Sequence, residues 1–281
     1  MITSNTYTSL NPWKKLLITW AVHGNEPCWR IAISRIIDEI EKWLLEIIKW
    51  SITFIPVCNP EWFKKNLRLT EENLARIFDK YDNPTTYERK CSTAIAPYID
   101  NCDALLDIHS GNAKDSKFVF LDHATDENIN ITNNLWFSLI IHGRPDMYPD
   151  DWAKDPSSYA HDQWKPWIVI ECGQHQDPGA VVVAYNAIKN FLYHYWLTTE
   201  WWGNNPIPAK HIMMKELIYM KNKQWTFIKE RKNWDSIKKW ETIARYEDWE
   251  EVYSTMDWYI ILPKHWAWPW NERFYLAQDI E

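Results

Sequence analysis

The chain has 281 residues and a formal net charge of -7, and 46% of its residues are hydrophobic and 25% charged. This length suits one large domain with a small one, and the composition excludes a disordered or fibrous protein. The acidic balance argues against a nucleic-acid partner, and the absence of a long apolar run or a signal-like amino terminus predicts a cytoplasmic protein with no membrane partner.

Short apolar runs alternate with amphipathic segments over the first 200 residues. The periodicity predicts helices at 27–49, 86–101 and 179–195. Runs rich in branched residues predict strands at 15–22, 52–57, 104–109, 117–121 and 167–171. Strands that alternate with helices indicate an α/β fold, a sheet with helices on its faces.

The texture of the chain changes after Gly203. Short runs such as KELIYM, WTFIKE, ETIARY and YIILP predict a small, mostly β domain. The proline-containing segment NNPIPAK at 204–210 is the best linker. We therefore divide the chain into a catalytic domain at 1–204 and a small β domain at 205–281.

Tryptophan is abnormally frequent, with 21 residues against 6 glycines. Several tryptophans stand in turn-like contexts, namely DWEE at 248–251, DWYI at 257–260, EWWGNN at 200–205 and HWAWPW at 265–270. Turns often demand a residue that tolerates positive φ, which is the property of glycine. We hypothesise that most tryptophans occupy ancestral glycine positions and expect many of them in turns or near the surface.

Residues suited to metal chemistry follow two of the predicted strands. His23 and Glu26 stand three apart in HGNE, so both can reach one ion where the backbone turns. Asp107 and His109 end another strand, and alternation places them on the same side, one as ligand and one as its neighbour. Each pair alone is common by chance, but two histidines and a glutamate form the ligand set of catalytic zinc.

Three further charged residues are candidates for catalysis and substrate binding. Glu171 ends the strand WIVIE, where its carboxylate could take a proton from an activated water. Arg68 and Arg76, eight residues apart, could bind a substrate carboxylate. The alternatives are an exposed glutamate at a strand end and solvated arginines on a helix surface.

Together, the segments VHGNEPC, CNP, NLARIF, LLDIHSGN and IVIECGQ resemble the succinylglutamate desuccinylase and aspartoacylase family, relatives of the zinc carboxypeptidases. The resemblance covers about residues 15–195. It implies a zinc-carboxypeptidase-like mixed sheet flanked by helices, and one zinc ion per chain. The roles it implies are zinc ligation by His23, Glu26 and His109, catalysis by Glu171, and substrate contact by Arg68, Arg76 and Tyr275.

The resemblance further implies hydrolysis of the amide bond of a small N-acyl acidic amino acid, with the β domain near the active-site entrance. Two alternatives stay open: a zinc carboxypeptidase acting on peptides, and a catalytically weakened zinc-binding remnant. The sequence does not define the acyl group, the amino acid or whether a homo-oligomer forms.

One motif departs from the family pattern. The family stretch resembles Asp-Leu-Asn-Arg, whereas this chain has Asn73, Leu74, Ala75 and Arg76. Ala75 cannot donate a side-chain hydrogen bond to substrate, and Asn73 lacks a charge that could orient Arg76. We therefore expect weaker substrate binding and unaltered metal binding.

Overall fold

The computed structural model describes residues 2–20, 22–26, 28–68, 71–111, 117–148, 154–199, 208–219, 224–264 and 272–280, with backbone alone for Trp20 and residues 28–30. Among these residues, no helix is both long and apolar enough to cross a membrane.

An eleven-stranded mixed sheet organises the fold, and its strand order is β1-β3-β2-β4-β7-β5-β6-β8-β14-β13-β10. A separate three-stranded sheet has the order β12-β11-β9. The strands are β1 (Asn5–Thr8), β2 (Lys15–Trp20), β3 (Ser51–Ile55), β4 (Ala104–Gly111), β5 (Lys117–Phe120), β6 (Leu139–His142), β7 (Trp167–Gln174), β8 (Lys210–Tyr219), β9 (Trp225–Phe227), β10 (Ser236–Ile237), β11 (Thr242–Tyr246), β12 (Glu251–Tyr253), β13 (Trp258–Ile261) and β14 (Glu272–Asp279).

Helices cover both faces of the main sheet. They are α1 (Cys28–Glu41), α2 (Pro60–Lys65), α3 (Tyr87–Asp100), α4 (Asp126–Leu135), α5 (Pro156–Asp162) and α6 (Pro178–His194). On β2, Leu16 and Ile18 belong to the hydrophobic cluster that includes α1, α4 and α6, whereas Leu17 belongs to the cluster that includes α3 and α5. Alternate side chains are thus buried on opposite faces, which confirms the predicted α/β class.

The central strands β3, β2, β4 and β7 pair in parallel. Strand β5 pairs antiparallel with β7, and β1 pairs antiparallel with β3, so the sheet is mixed. All five strands predicted before residue 200 are present. The short strands β1 and β6 were not predicted.

The predicted helix at 27–49 is too long, because α1 ends at Glu41. Trp43 has φ 58°, outside the right-handed helical region. Its N–H donates to the carbonyl of Ile40 at 3.1 Å, and the N–H of Leu44 donates to the carbonyl of Glu39 at 2.8 Å. This pair of bonds is a Schellman motif, which closes the helix although apolar periodicity continues beyond it.

The residues described after position 208 form strands and no helix, as the sequence predicts for the carboxy-terminal part. Strand β8 pairs in parallel with β6, and β14, β13 and β10 continue the main sheet from β8. The boundary predicted near residue 205 lies outside the described residues. The division into two domains stays a prediction.

Tryptophan occupies most of the left-handed positions in the described part of the chain. Ten non-glycine residues have positive φ, and all but Asn66 and Leu262 are tryptophans: Trp43, Trp50, Trp136, Trp164, Trp196, Trp234, Trp240 and Trp249. These positions confirm the expected placement in turns. The expectation was wrong for Trp258, which begins β13, and the tryptophans of HWAWPW and EWWGNN lie outside the described residues.

Four helices are followed within two residues by a tryptophan of this kind. Trp43 follows α1, Trp136 follows α4, Trp164 follows α5 and Trp196 follows α6. The position after a helix is the one where glycine is most favoured, because it alone adopts left-handed φ without steric cost. The backbone here has the conformation of glycine at positions that carry the largest side chain.

We expect the triple variant Trp43→Gly, Trp164→Gly, Trp196→Gly to unfold at higher urea concentration than the parent. The three side chains are 86%, 92% and 63% exposed, so little packing is lost. Relief of left-handed strain should add roughly 1 kcal/mol per site to the free energy of unfolding. Trp13→Gly is the control, because Trp13 is 85% exposed without positive φ. An equal gain from both variants would show that strain is not the cause.

Candidate active site

The three predicted metal ligands and Glu171 come from three parallel strand ends. Strands β2 and β4 are in register at Trp20 and Ile108, and β4 and β7 are in register at His109 and Glu171. The carboxyl ends of parallel strands meet at one edge of a sheet, where ligands of open α/β folds bind. The turn after β2, the end of β4 and the end of β7 therefore lie side by side.

The turn after β2 packs tightly against the start of α2. A Cβ atom at Gly24 would lie 2.2 Å from the carbonyl carbon of Trp62, so only glycine fits this position. The helix itself is capped by Asn59, whose side chain accepts a hydrogen bond from the N–H of Trp62. The close approach fixes the backbone that carries His23 and Glu26.

His23, Glu26 and His109 form one buried cluster. Each offers a ligand atom, and these atoms all lie within 4.8 Å of one another. Nδ1 of His23 lies 2.9 Å from Oε1 of Glu26, and Nδ1 of His109 lies 3.6 Å from Oε2 of the same carboxylate. The structure thus brings together the three residues that the sequence predicts as metal ligands.

Both imidazoles are held from their other nitrogen. Nε2 of His23 lies 3.2 Å from Oδ1 of Asn73, and Nε2 of His109 lies 3.0 Å from Oδ2 of Asp107. The other oxygen of Asp107 accepts a hydrogen bond from Thr19 at 2.8 Å. When Nε2–H donates a hydrogen bond to an oxygen, Nδ1 keeps a lone pair that can bind a metal ion. Metal-binding histidines are oriented in this way. This donor set fits a divalent metal ion.

The contact made by Asn73 corrects one expectation. We expected the departure at Asn73 to affect the orientation of Arg76 and not metal binding. Its side chain instead contacts His23, a predicted metal ligand, and accepts a hydrogen bond from the backbone N–H of Ala75 at 3.1 Å. Ala75 is only 4% exposed and belongs to the hydrophobic cluster next to α3.

Electrostatics favour a cation in the cluster. Burial would raise the pKa of Glu26, but the two histidines hold it well below the usual value. Burial would lower the pKa of His109, but Asp107 and Glu26 raise it well above the usual value. Burial and the neighbouring Arg68 lower the pKa of His23 to about 3. Positive charge beside Glu26 is therefore favourable, and a divalent ion would supply it.

Glu171 faces the cluster from β7, at the register position opposite His109. The residue is partly exposed, but its Oε2 atom is buried and has no hydrogen-bond partner among the described residues. Burial raises the pKa of Glu171 to about 8, although His109 acts in the opposite direction. A carboxyl group with such a pKa can both accept and donate a proton near neutral pH.

Arg68 lies at the edge of the cluster. Its Nη1 atom is 3.7 Å from Oε1 of Glu26, and its side chain is 37% exposed. The guanidinium is therefore close to the candidate metal site and still accessible to a small molecule.

Arg76 and Tyr275 lie together in a second group, where Arg76 already has a protein partner. Its Nε donates to Oε1 of Glu272 at 3.1 Å, and its Nη2 donates to the hydroxyl of Tyr148 at 3.0 Å. Tyr148 is 2.5 Å from the hydroxyl of Tyr275, and Lys264 donates to Oε2 of Glu272 at 2.9 Å.

Sequence reasoning missed Tyr148, Lys264 and Glu272. Glu272 stands three residues before Tyr275 in NERFY, but this spacing alone does not place it beside Arg76. Tyr148 and Lys264 come from segments without a motif, and only tertiary packing brings them to Arg76.

Comparison with known proteins identifies the class to which this fold and site belong. The model of the succinylglutamate desuccinylase/aspartoacylase catalytic domain matches residues 12–188, and the chain belongs to this family. Members of the family are deacylating hydrolases, which supports an enzyme. No curated protein matches the chain.

Solved structures share the fold over nearly the whole chain. A succinylglutamate desuccinylase/aspartoacylase from Rhodobacter sphaeroides is 14% identical, with a TM-score of 0.79 and coverage of 100% of this chain and 89% of its own. The Ectoine utilization protein EutE from Ruegeria pomeroyi is 13% identical, with a TM-score of 0.78 and coverage of 98% and 88%. An aspartoacylase family protein from Mesorhizobium loti is 16% identical, with a TM-score of 0.71 and coverage of 99% and 89%.

We expect Asn73→Ala to weaken zinc binding by about 10-fold to 100-fold, the usual effect of removing a partner that orients a ligand. The dissociation constant can be measured by competition with a chromophoric chelator. Asn101→Ala is the control, because Asn101 is exposed after α3 and its described side-chain hydrogen bond goes to the carbonyl of Pro97 in its own helix. Equal zinc affinity in both variants would contradict the role of Asn73.

Proposed function

We propose that the chain is a zinc-dependent deacylase that hydrolyses the amide bond of an N-acyl acidic amino acid. Membership of the family supports a deacylating hydrolase. The observation that carries the proposal is the buried cluster of His23, Glu26 and His109 beside the unpaired Oε2 atom of Glu171. Such a cluster has the ligand set of catalytic zinc and a base next to it.

The residues of the site divide the chemistry between them. One zinc ion held by His23, Glu26 and His109 would act as a Lewis acid, polarising the acyl carbonyl and making water more acidic. Glu171 takes the proton of the attacking water and passes it to the nitrogen of the leaving amine. Burial of the site strengthens each of these electrostatic interactions.

The charges around the site favour an acidic substrate. Arg68 is partly exposed beside Glu26 and is available to bind a carboxylate. Arg76 and Lys264 both pair with Glu272, so that group keeps one net positive charge. We propose that Arg68 contacts the acidic end of the substrate directly, and that Arg76 and Tyr275 complete the substrate-binding surface.

We expect Glu171→Gln to lower kcat by about 100-fold or more, because a positioned acid–base group contributes on this scale. The zinc dissociation constant should not rise, because Glu171 is not a ligand. The measurement is steady-state hydrolysis of N-acetyl and N-succinyl acidic amino acids by the zinc-loaded protein, with zinc content determined in parallel. Unchanged turnover would remove Glu171 from its proposed role.

The same assay tests the function against its two alternatives. We expect higher kcat/KM for an N-acyl acidic amino acid than for a peptide with the same carboxy-terminal residue. Faster peptide cleavage would indicate a carboxypeptidase. Stoichiometric zinc without turnover on either substrate would indicate a zinc-binding remnant.

A further inference from the structure

His175 is a buried histidine next to the site, and the proposed function does not use it. It directly follows β7 and is 7% exposed. Its Nδ1 atom lies 2.6 Å from Oγ of Ser110, and its backbone N–H donates to the carbonyl of Gly111 at 3.0 Å. Both bonds reach the end of β4, immediately after the ligand His109, so the ring is fixed beside the metal cluster.

The other ring nitrogen of His175, Nε2, is buried and makes no hydrogen bond to the described residues. Burial lowers the pKa of His175, which favours the neutral ring. When the hydroxyl of Ser110 donates to Nδ1, the proton of the neutral ring is on Nε2. A buried N–H without an acceptor is unfavourable unless a ligand or water supplies one.

Two more buried polar atoms without partners adjoin the same cluster. Oδ1 of Asn25 belongs to the residue between the ligands His23 and Glu26, and Oε2 of Glu171 faces His109 from β7. Unsatisfied polar groups on residues that flank one cluster are typical of a small-molecule site. Arg68 lies beside the same cluster, with its Nη1 atom 3.7 Å from Oε1 of Glu26.

We propose that His175 is a substrate-binding residue, whose Nε2–H donates to a carboxylate oxygen of the substrate beside Arg68. The proposal rests on the proposed function, because it requires an acidic substrate at the metal cluster. The hydrogen bond to Ser110 orients the ring, and no charge needs to be added to the buried site.

Two substitutions separate this role from a structural one. His175→Gln places an amide near the position of Nε2 and loses the contact with Ser110, whereas His175→Asn keeps an amide near Nδ1 and loses the Nε2 donor. We expect His175→Asn to raise KM for an N-acyl acidic amino acid by about 10-fold or more, the scale of a hydrogen bond to a charged group. His175→Gln should recover much of that loss.

Zinc affinity and thermal stability are measured for both variants. The control is His194→Asn, because His194 is a partly buried histidine at the end of α6 that contacts Asn134. A purely structural role would give His175→Asn the lower KM of the two variants, because only His175→Asn could keep the bond to Ser110. If the wild type turns over an N-acyl acidic amino acid and the KM of His175→Asn is equal to or lower than that of His175→Gln, the inference about His175 is overturned and the proposed function stands. A wild type without turnover on any N-acyl amino acid would overturn the proposed function with it.

A second inference rests on the backbone instead of the site. We infer that the source organism makes this chain with glycine at eight positions, namely Trp43, Trp50, Trp136, Trp164, Trp196, Trp234, Trp240 and Trp249. All eight have φ between 57° and 72°, and four of them follow helices. The chain has only 6 glycines. A single codon that the organism reads as glycine instead of tryptophan accounts for one residue type at unrelated turns.

Peptide mass spectrometry of the protein isolated from its organism tests this inference. Glycine is expected at all eight positions. Tryptophan at these positions would overturn the inference, and the protein would then carry the strain of eight left-handed tryptophans.

Discussion

The parallel pairing of β2, β4 and β7 is the constraint on which the site depends. It brings the turn after β2 and the ends of β4 and β7 to one edge of the sheet, so His23, His109 and Glu171 approach one another although they are far apart in sequence. A shift of one residue in the register of β4 would turn His109 to the opposite face and Ile108 toward the cluster. Burial on both faces of β4 prevents such a shift, because every residue from Ala104 to Ser110 is buried.

The second requirement is charge balance in this buried place. Glu26 is 1% exposed, and its carboxylate could not stay ionised there without positive charge nearby. His109 and Arg68 lie close enough to supply that charge, while Asn73 and Asp107 orient the rings. The second group of charged residues meets the same requirement, because the carboxylate of Glu272 pairs with both Arg76 and Lys264.

The sequence was informative wherever local chemistry determined the outcome. The strand ends at His23, His109 and Glu171 followed from apolar runs, and the neighbouring role of Asp107 followed from alternation. The end of α1 could not be predicted, because Trp43 hides a turn that glycine would have revealed. The contacts of Asn73, His175 and Glu272 depend on which segments pack together, and no local pattern encodes them.

X-ray absorption spectroscopy of the zinc-loaded protein tests the central claim most directly. If His23, Glu26 and His109 bind one zinc ion, the spectrum will show only nitrogen and oxygen neighbours, at about 2.0 to 2.2 Å, and one zinc per chain. The described cysteines Cys58, Cys91, Cys102 and Cys172 are buried and outside the cluster, so no sulfur neighbour is expected. Sulfur scattering at about 2.3 Å, or an unchanged spectrum in His109→Ala, would contradict the assignment of the site.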